Sequence, residues 1–115
     1  MKVPGNCLLF VYGSLKRGHA NHGQLAGARF VAEARTVPRF ALRVIAGYPA
    51  LVPGAQAILG ELFELNNAGL AALDEFEGND YVREEVELEA FGPALAYLSR
   101  TPTAGAPYSA NEWQG

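Results

Sequence analysis

The sequence predicts an α+β fold: a small mixed, mainly antiparallel β-barrel of about six strands, with one main and one short flanking helix. Three observations lead there. Short β-prone apolar runs recur between clusters of Gly, Pro and Asn. One stretch, Ala68 to Glu77, combines helical periodicity with stop and start signals at its ends. Many short strands also leave edges that a curled sheet protects better than a flat one. Residues 1–115 read as a single domain, with 101–115 a surface tail.

Composition narrows the classes. Of 115 residues, 50% are hydrophobic and 18% charged, which excludes a disordered chain. The net charge of −3 gives no footing for nucleic acid, and Lys16-Arg17 is an isolated basic pair. No apolar run is long enough to span a membrane, and the first residues carry no signal-peptide pattern. The single Cys7 leaves no internal disulfide and suits a reducing, cytoplasmic setting.

In chain order, residues 1–6 form a lead-in that Pro4 and Gly5 keep irregular. Leu8 to Val11 is an unbroken apolar run, the mark of a buried strand. It stops at Tyr12-Gly13-Ser14, where Gly13 offers backbone angles closed to other residues. Asn21 is placed to cap a short helix carrying Leu25. Two strands follow, Arg29 to Val37 and Arg39 to Ile45, paired as a hairpin about Pro38. Gly47-Tyr48-Pro49 breaks the pattern and Pro53-Gly54 turns it again, leaving Ala50 to Val52 a short strand at most. Ala57 to Leu65 is the next strand, and Gly60 inside it marks a bulge or a close backbone approach. Asn66 and Asn67 open the helix and Gly78 ends it. Tyr81 to Ala90 alternates as a strand with one wet face, and Ala94 to Ser99 returns after Gly92-Pro93. The segment after Arg100 is rich in small and turn-forming residues, so it is expected to lie loose or draped, with Tyr108 and Trp113 as anchors.

Two places carry chemistry. The first is the turn after Val11, where successive backbone N–H groups at a strand's carboxyl end make a concavity suited to an anion. Gly13 to Gly18 has the outer spacing of a phosphate loop, but His19 and Ala20 stand where Lys and Ser/Thr are required. The second is Glu77. On a helical wheel it falls between Leu70 and Leu73, in the apolar stripe, while Glu75 faces solvent and Asp74 flanks the stripe. Burial and the negative helix end should both raise its pKa, giving an acid poised for proton transfer near neutrality. The bland alternative is a frayed last turn in which Glu77 reaches water or pairs with Arg83. His19 and His22 lack further ligands to complete a metal site, and nothing places them beside Cys7 as a base for a thiol nucleophile. No metal and no cofactor is expected.

Taken together, strand-YGSLKRG-x-x-NH, GYP, GELFEL and LDEFEG followed by Y-x-R resemble the gamma-glutamylcyclotransferase family, nearest to its gamma-glutamylamine cyclotransferase branch. The resemblance covers most of residues 7–98 and implies a gamma-glutamylcyclotransferase-like fold. It implies a small-molecule gamma-glutamyl substrate whose own α-amine attacks its γ-carbonyl, releasing 5-oxoproline and an amine. Glu77 matches the family's general acid/base. Tyr12, Gly13, Ser14 and Leu15 match its substrate-binding loop, and Tyr81 and Tyr97 fall where members carry aromatics. An intramolecular nucleophile leaves the enzyme to fold the substrate and move a proton. The competing expectation is a non-catalytic domain that keeps the fold and binds a small carboxylate or a protein partner, favoured if Glu77 is exposed or far from the Gly13 amides.

Overall fold

β1 (Cys7–Val11) runs through the middle of the sheet in the computed structural model, which describes residues 5–115. Most of the lead-in expected at residues 1–6 lies outside the described residues. The apolar run of β1 is unbroken because both of its faces are covered. Phe10 belongs to an inner core with Leu62, Val86 and Ala96, while Leu9 and Val11 join an outer one with Phe63, Leu70 and Leu73.

Seven further strands follow: β2 (Arg29–Arg35), β3 (Phe40–Ile45), β4 (Tyr48–Pro53), β5 (Leu59–Leu65), β6 (Tyr81–Leu88), β7 (Gly92–Ser99) and β8 (Ala106–Tyr108). They form one mixed sheet in the order β2-β5-β1-β7-β4-β3-β8, with β6 on the other edge of β7. β1 and β4 both run parallel to β7, with Leu9 opposite Leu95 and Leu51 opposite Leu98. The other pairs are antiparallel. The sheet curls into a half-barrel whose end is drawn together by Val37 N–H donating to the Glu87 carbonyl at 3.0 Å and Glu89 N–H donating to that of Arg35 at 2.9 Å. Gly60 is the close approach the sequence indicated, since a Cβ there would run into the Val11 carbonyl and the Phe10 ring.

Among the described residues eight strands form, against the expected six. Gly47-Tyr48-Pro49 is a tight hairpin start rather than a break. Ala46 (φ 52°) and Gly47 (φ 85°) make a two-residue turn, and β4 begins at once with Ile45 opposite Tyr48. The expected hairpin of residues 29–37 with 39–45 does not form. β2 pairs with β5, and β3 with β4 and β8. The cause lies at Thr36, which is fully buried and whose hydroxyl accepts from Ile58 N–H at 3.0 Å, so the connection crosses the barrel end instead of turning back.

α1 (Asn67–Glu77) starts and stops as its signals dictate. Asn66 accepts from Gly69 N–H at 2.8 Å, and Gly78 (φ 69°) follows the last helical residue. Leu70 and Leu73 bury the helix against the outer face of the sheet. The expected short helix is a single 3-10 turn, His22–Leu25, with Leu25 buried. The segment after Arg100 is mostly exposed yet stitched down. β8 pairs with β3, Asn111 O accepts from Leu59 N–H at 2.9 Å, and Trp113 is buried against Tyr108. Among the described residues no helix is long and apolar enough to cross a membrane.

Candidate active site

β7 changes neighbours partway along its length, from β1 to β4, and the two strands part where β1 ends. A crevice opens where adjacent strands diverge, as at the switch points of parallel sheets. Tyr12 bridges the gap from inside. Its buried hydroxyl donates to the Tyr97 carbonyl at 2.5 Å and accepts from Leu51 N–H at 3.0 Å, standing in for the ladder bonds that the parting strands cannot make. The resulting cleft, about 390 Å³, is lined by Tyr12, Gly13, Ser14, Leu15, Glu77, Tyr81 and Tyr97 together with residues from the β3–β4 turn. The 12–15 loop, Glu77, Tyr81 and Tyr97, each singled out in the sequence, therefore face one space.

The loop after β1 is a turn closed by Lys16 N–H on the Gly13 carbonyl at 3.0 Å. Gly13 is needed here for a reason other than the expected one. Its φ is not in the left-handed region, but a Cβ would collide with Pro49 of β4. Among the described residues the N–H groups of Gly13, Ser14 and Leu15 have no protein acceptor, so they remain available to a ligand. The loop's basic residues turn away from them. Lys16, buried, donates to the Trp113 carbonyl at 2.8 Å, while Arg17 pairs with Glu61 and stacks on Phe30. Any anion in the concavity is thus held by amides rather than side-chain charge.

Two braces that sequence spacing did not reveal fix this loop. Asn21 donates to Ser14 Oγ at 2.9 Å and its N–H to the Ser14 carbonyl at 2.9 Å, so it supports the loop rather than capping a helix. His22 Nδ1 lies 2.9 Å from the Leu15 carbonyl and its ring packs on Phe63. A contact made seven residues away along an irregular loop leaves no periodic signal.

Across the cleft, Glu77 ends α1 half-buried, and burial lifts its carboxyl to about 7. It does not pair with Arg83, whose guanidinium meets Asp74 at 3.0 Å. Asp74 also accepts from the Tyr97 hydroxyl at 2.7 Å. Tyr97 therefore offers the cleft its ring, while its hydroxyl holds α1, and burial first and then that bond to Asp74 raise its pKa. The Tyr81 hydroxyl donates to the Pro49 carbonyl at 2.9 Å and is pushed up to about 12, by burial and then by the charges of Glu77 and Asp80. Tyr12 is raised as well, chiefly by burial. The arrangement offers free amides for a carboxylate or oxyanion and, facing the same space, a carboxyl able to take and return a proton near neutral pH.

Comparison with known proteins agrees with this geometry. The family model described as gamma-glutamyl cyclotransferase, AIG2-like, matches residues 9–115. A Vibrio cholerae relative ascribed to the gamma-glutamylcyclotransferases is 37% identical over 93 residues, 79% of this chain and 80% of its own. A gamma-glutamylaminecyclotransferase A of Danio rerio is 33% identical over 100 residues, 76% of this chain and 62% of its own. An AIG2-like protein of Mus musculus superimposes with a TM-score of 0.80 at 26% identity, covering 95% of this chain and 88% of that one.

Proposed function

This chain belongs to the gamma-glutamyl cyclotransferase, AIG2-like family and is an enzyme of that type, and from that premise we propose that it acts on gamma-glutamylamines with Glu77 as its general acid/base. The glutamyl α-carboxylate rests on the N–H groups of Gly13, Ser14 and Leu15. Glu77 takes a proton from the α-ammonium, and the freed amine attacks the γ-carbonyl carbon. The new N–C bond closes a five-membered ring, and the γ-carbon–nitrogen bond to the leaving group then breaks. Glu77 returns the proton to the departing nitrogen, then takes the second proton from the ring nitrogen as the bond breaks and passes it to the freed amine. 5-Oxoproline and the amine in its ammonium form leave, and the carboxylate is restored. Tyr12 and Tyr97 shape the wall that folds the substrate toward attack, and Tyr81 borders Glu77. A cytoplasmic setting, where Cys7 stays reduced, fits the reaction.

The observation that carries this reading is the pairing of unbonded loop amides with a half-buried carboxyl titrating near 7 in one cleft. A poised proton shuttle contributes about 10²–10⁴ in rate. Release of 5-oxoproline from gamma-glutamyl-ε-lysine, gamma-glutamyl-alanine and glutathione, followed for wild type and Glu77→Gln, tests it. The expected result is turnover of the ε-lysine compound and a loss of about 10²–10⁴ in the variant. Activity surviving the substitution would remove Glu77 from the mechanism, and turnover of the alanine compound alone would remove the amine assignment.

A further inference from the structure

The charged side chains that line the cleft proposed to receive the substrate are both acidic. Among the described residues its lining includes two carboxylates, Glu77 and Asp80, and no lysine, arginine or histidine. The cations of the neighbouring segments are engaged elsewhere. Lys16 and Arg17 point to Trp113 and Glu61, Arg83 is held by Asp74, and Arg100 by the carbonyls of Asn79 and Tyr81. Asp80 is exposed, and among the described residues its carboxylate makes no ion pair or hydrogen bond. Two large aromatics at the mouth, Tyr48 (50% exposed) and Phe76 (41% exposed), line the same cleft.

The glutamyl end of a substrate uses the loop amides for its carboxylate and Glu77 for its ammonium. Asp80 and the two mouth aromatics are then left for the leaving group. Aromatic faces attract cations and accept alkyl stems, and an unpaired carboxylate beside them adds to the attraction. A leaving group bearing its own carboxylate meets like charge with no counter-ion on the wall. Resting on the function proposed above, we infer that Asp80, with Tyr48 and Phe76, selects substrates whose leaving amine carries a second positive charge, such as a diamine or polyamine, and disfavours leaving groups of net negative charge.

A charge series on one four-carbon leaving group tests this: the gamma-glutamyl derivatives of 1,4-diaminobutane, butylamine and 4-aminobutyrate. The readout is kcat/KM for 5-oxoproline release by wild type, Asp80→Asn and Asp80→Lys. Wild type is expected to rank the cationic substrate above the neutral one and the neutral above the anionic, with the spread shrinking as salt is raised. An exposed charge pair sets the scale, so Asp80→Asn should lower the cationic-to-anionic ratio about three- to fivefold, and Asp80→Lys should lower it further. A ratio unmoved by either variant, or a wild-type preference for the anionic substrate, overturns the inference while leaving the cyclotransferase reading intact. No 5-oxoproline from any of the three, or from gamma-glutamyl-ε-lysine, overturns both.

Discussion

Glu77 shows how a single side chain is turned from a liability into a tool. A carboxyl in the apolar stripe of a helix resists ionisation, and its folded pKa of about 7 stands above its ordinary value of 4.5. The native state therefore holds this proton more tightly than the unfolded chain. Its contribution to stability is complete below about 4.5 and is lost as pH rises through about 7. Glu77→Gln removes that loss. Thermal unfolding of the two proteins should coincide at pH 4 and below, and the variant should become progressively more stable than wild type from there to about pH 7, the difference levelling off above it. A difference independent of pH would show that Glu77 is not desolvated in solution. Gly13 makes the complementary point, since the property in use is the absence of a Cβ beside Pro49 rather than freedom of φ.

At the scale of elements, α1 must hold Glu77 over the loop amides, and its cap alone does not do so. The Tyr97 hydroxyl reaches Asp74 three residues before Glu77, and Arg83 of β6 grips the same carboxylate from the other side. Tyr97→Phe keeps the buried ring but frees that end of the helix. A net loss of about 1 kcal/mol in urea unfolding is expected for the hydrogen bond. Because the carboxyl proposed as general acid/base lies one turn further on, kcat for 5-oxoproline release should fall more than KM changes. Unchanged kcat beside the expected loss of stability would limit Tyr97 to a structural role.

Across the whole molecule, the loop after β1 and the C-terminal segment are tied together. The buried Lys16 of the loop after β1 is held by the Trp113 carbonyl, and Trp113 itself packs with Tyr108 into the inner core. Trp113→Ala should cost about 3–5 kcal/mol, as large-to-small core replacements do. It should also raise KM, because the loop loses its rear support. A fall in unfolding temperature with KM unchanged would show that the loop keeps its shape without the C-terminal segment.

Local signals were strong wherever the physics was local. The apolar run of β1, the Asn66 and Gly78 ends of α1, the alternation in β6 and the position of Glu77 on the helical wheel all follow from neighbours within a few residues. The motifs of residues 12–22 and 60–83 likewise placed the chain in its family. Elsewhere the deciding contacts were distant. Thr36 drew β2 away from β3 through Ile58, Pro49 rather than a turn angle required Gly13, and Lys16 recruited the terminal segment. The sequence by itself determined which residues can carry charge, turn the chain or enter a core. Only the tertiary structure decided that the Gly13–Leu15 amides and Glu77 face the same cleft, because β7 must exchange β1 for β4 before any space opens between them.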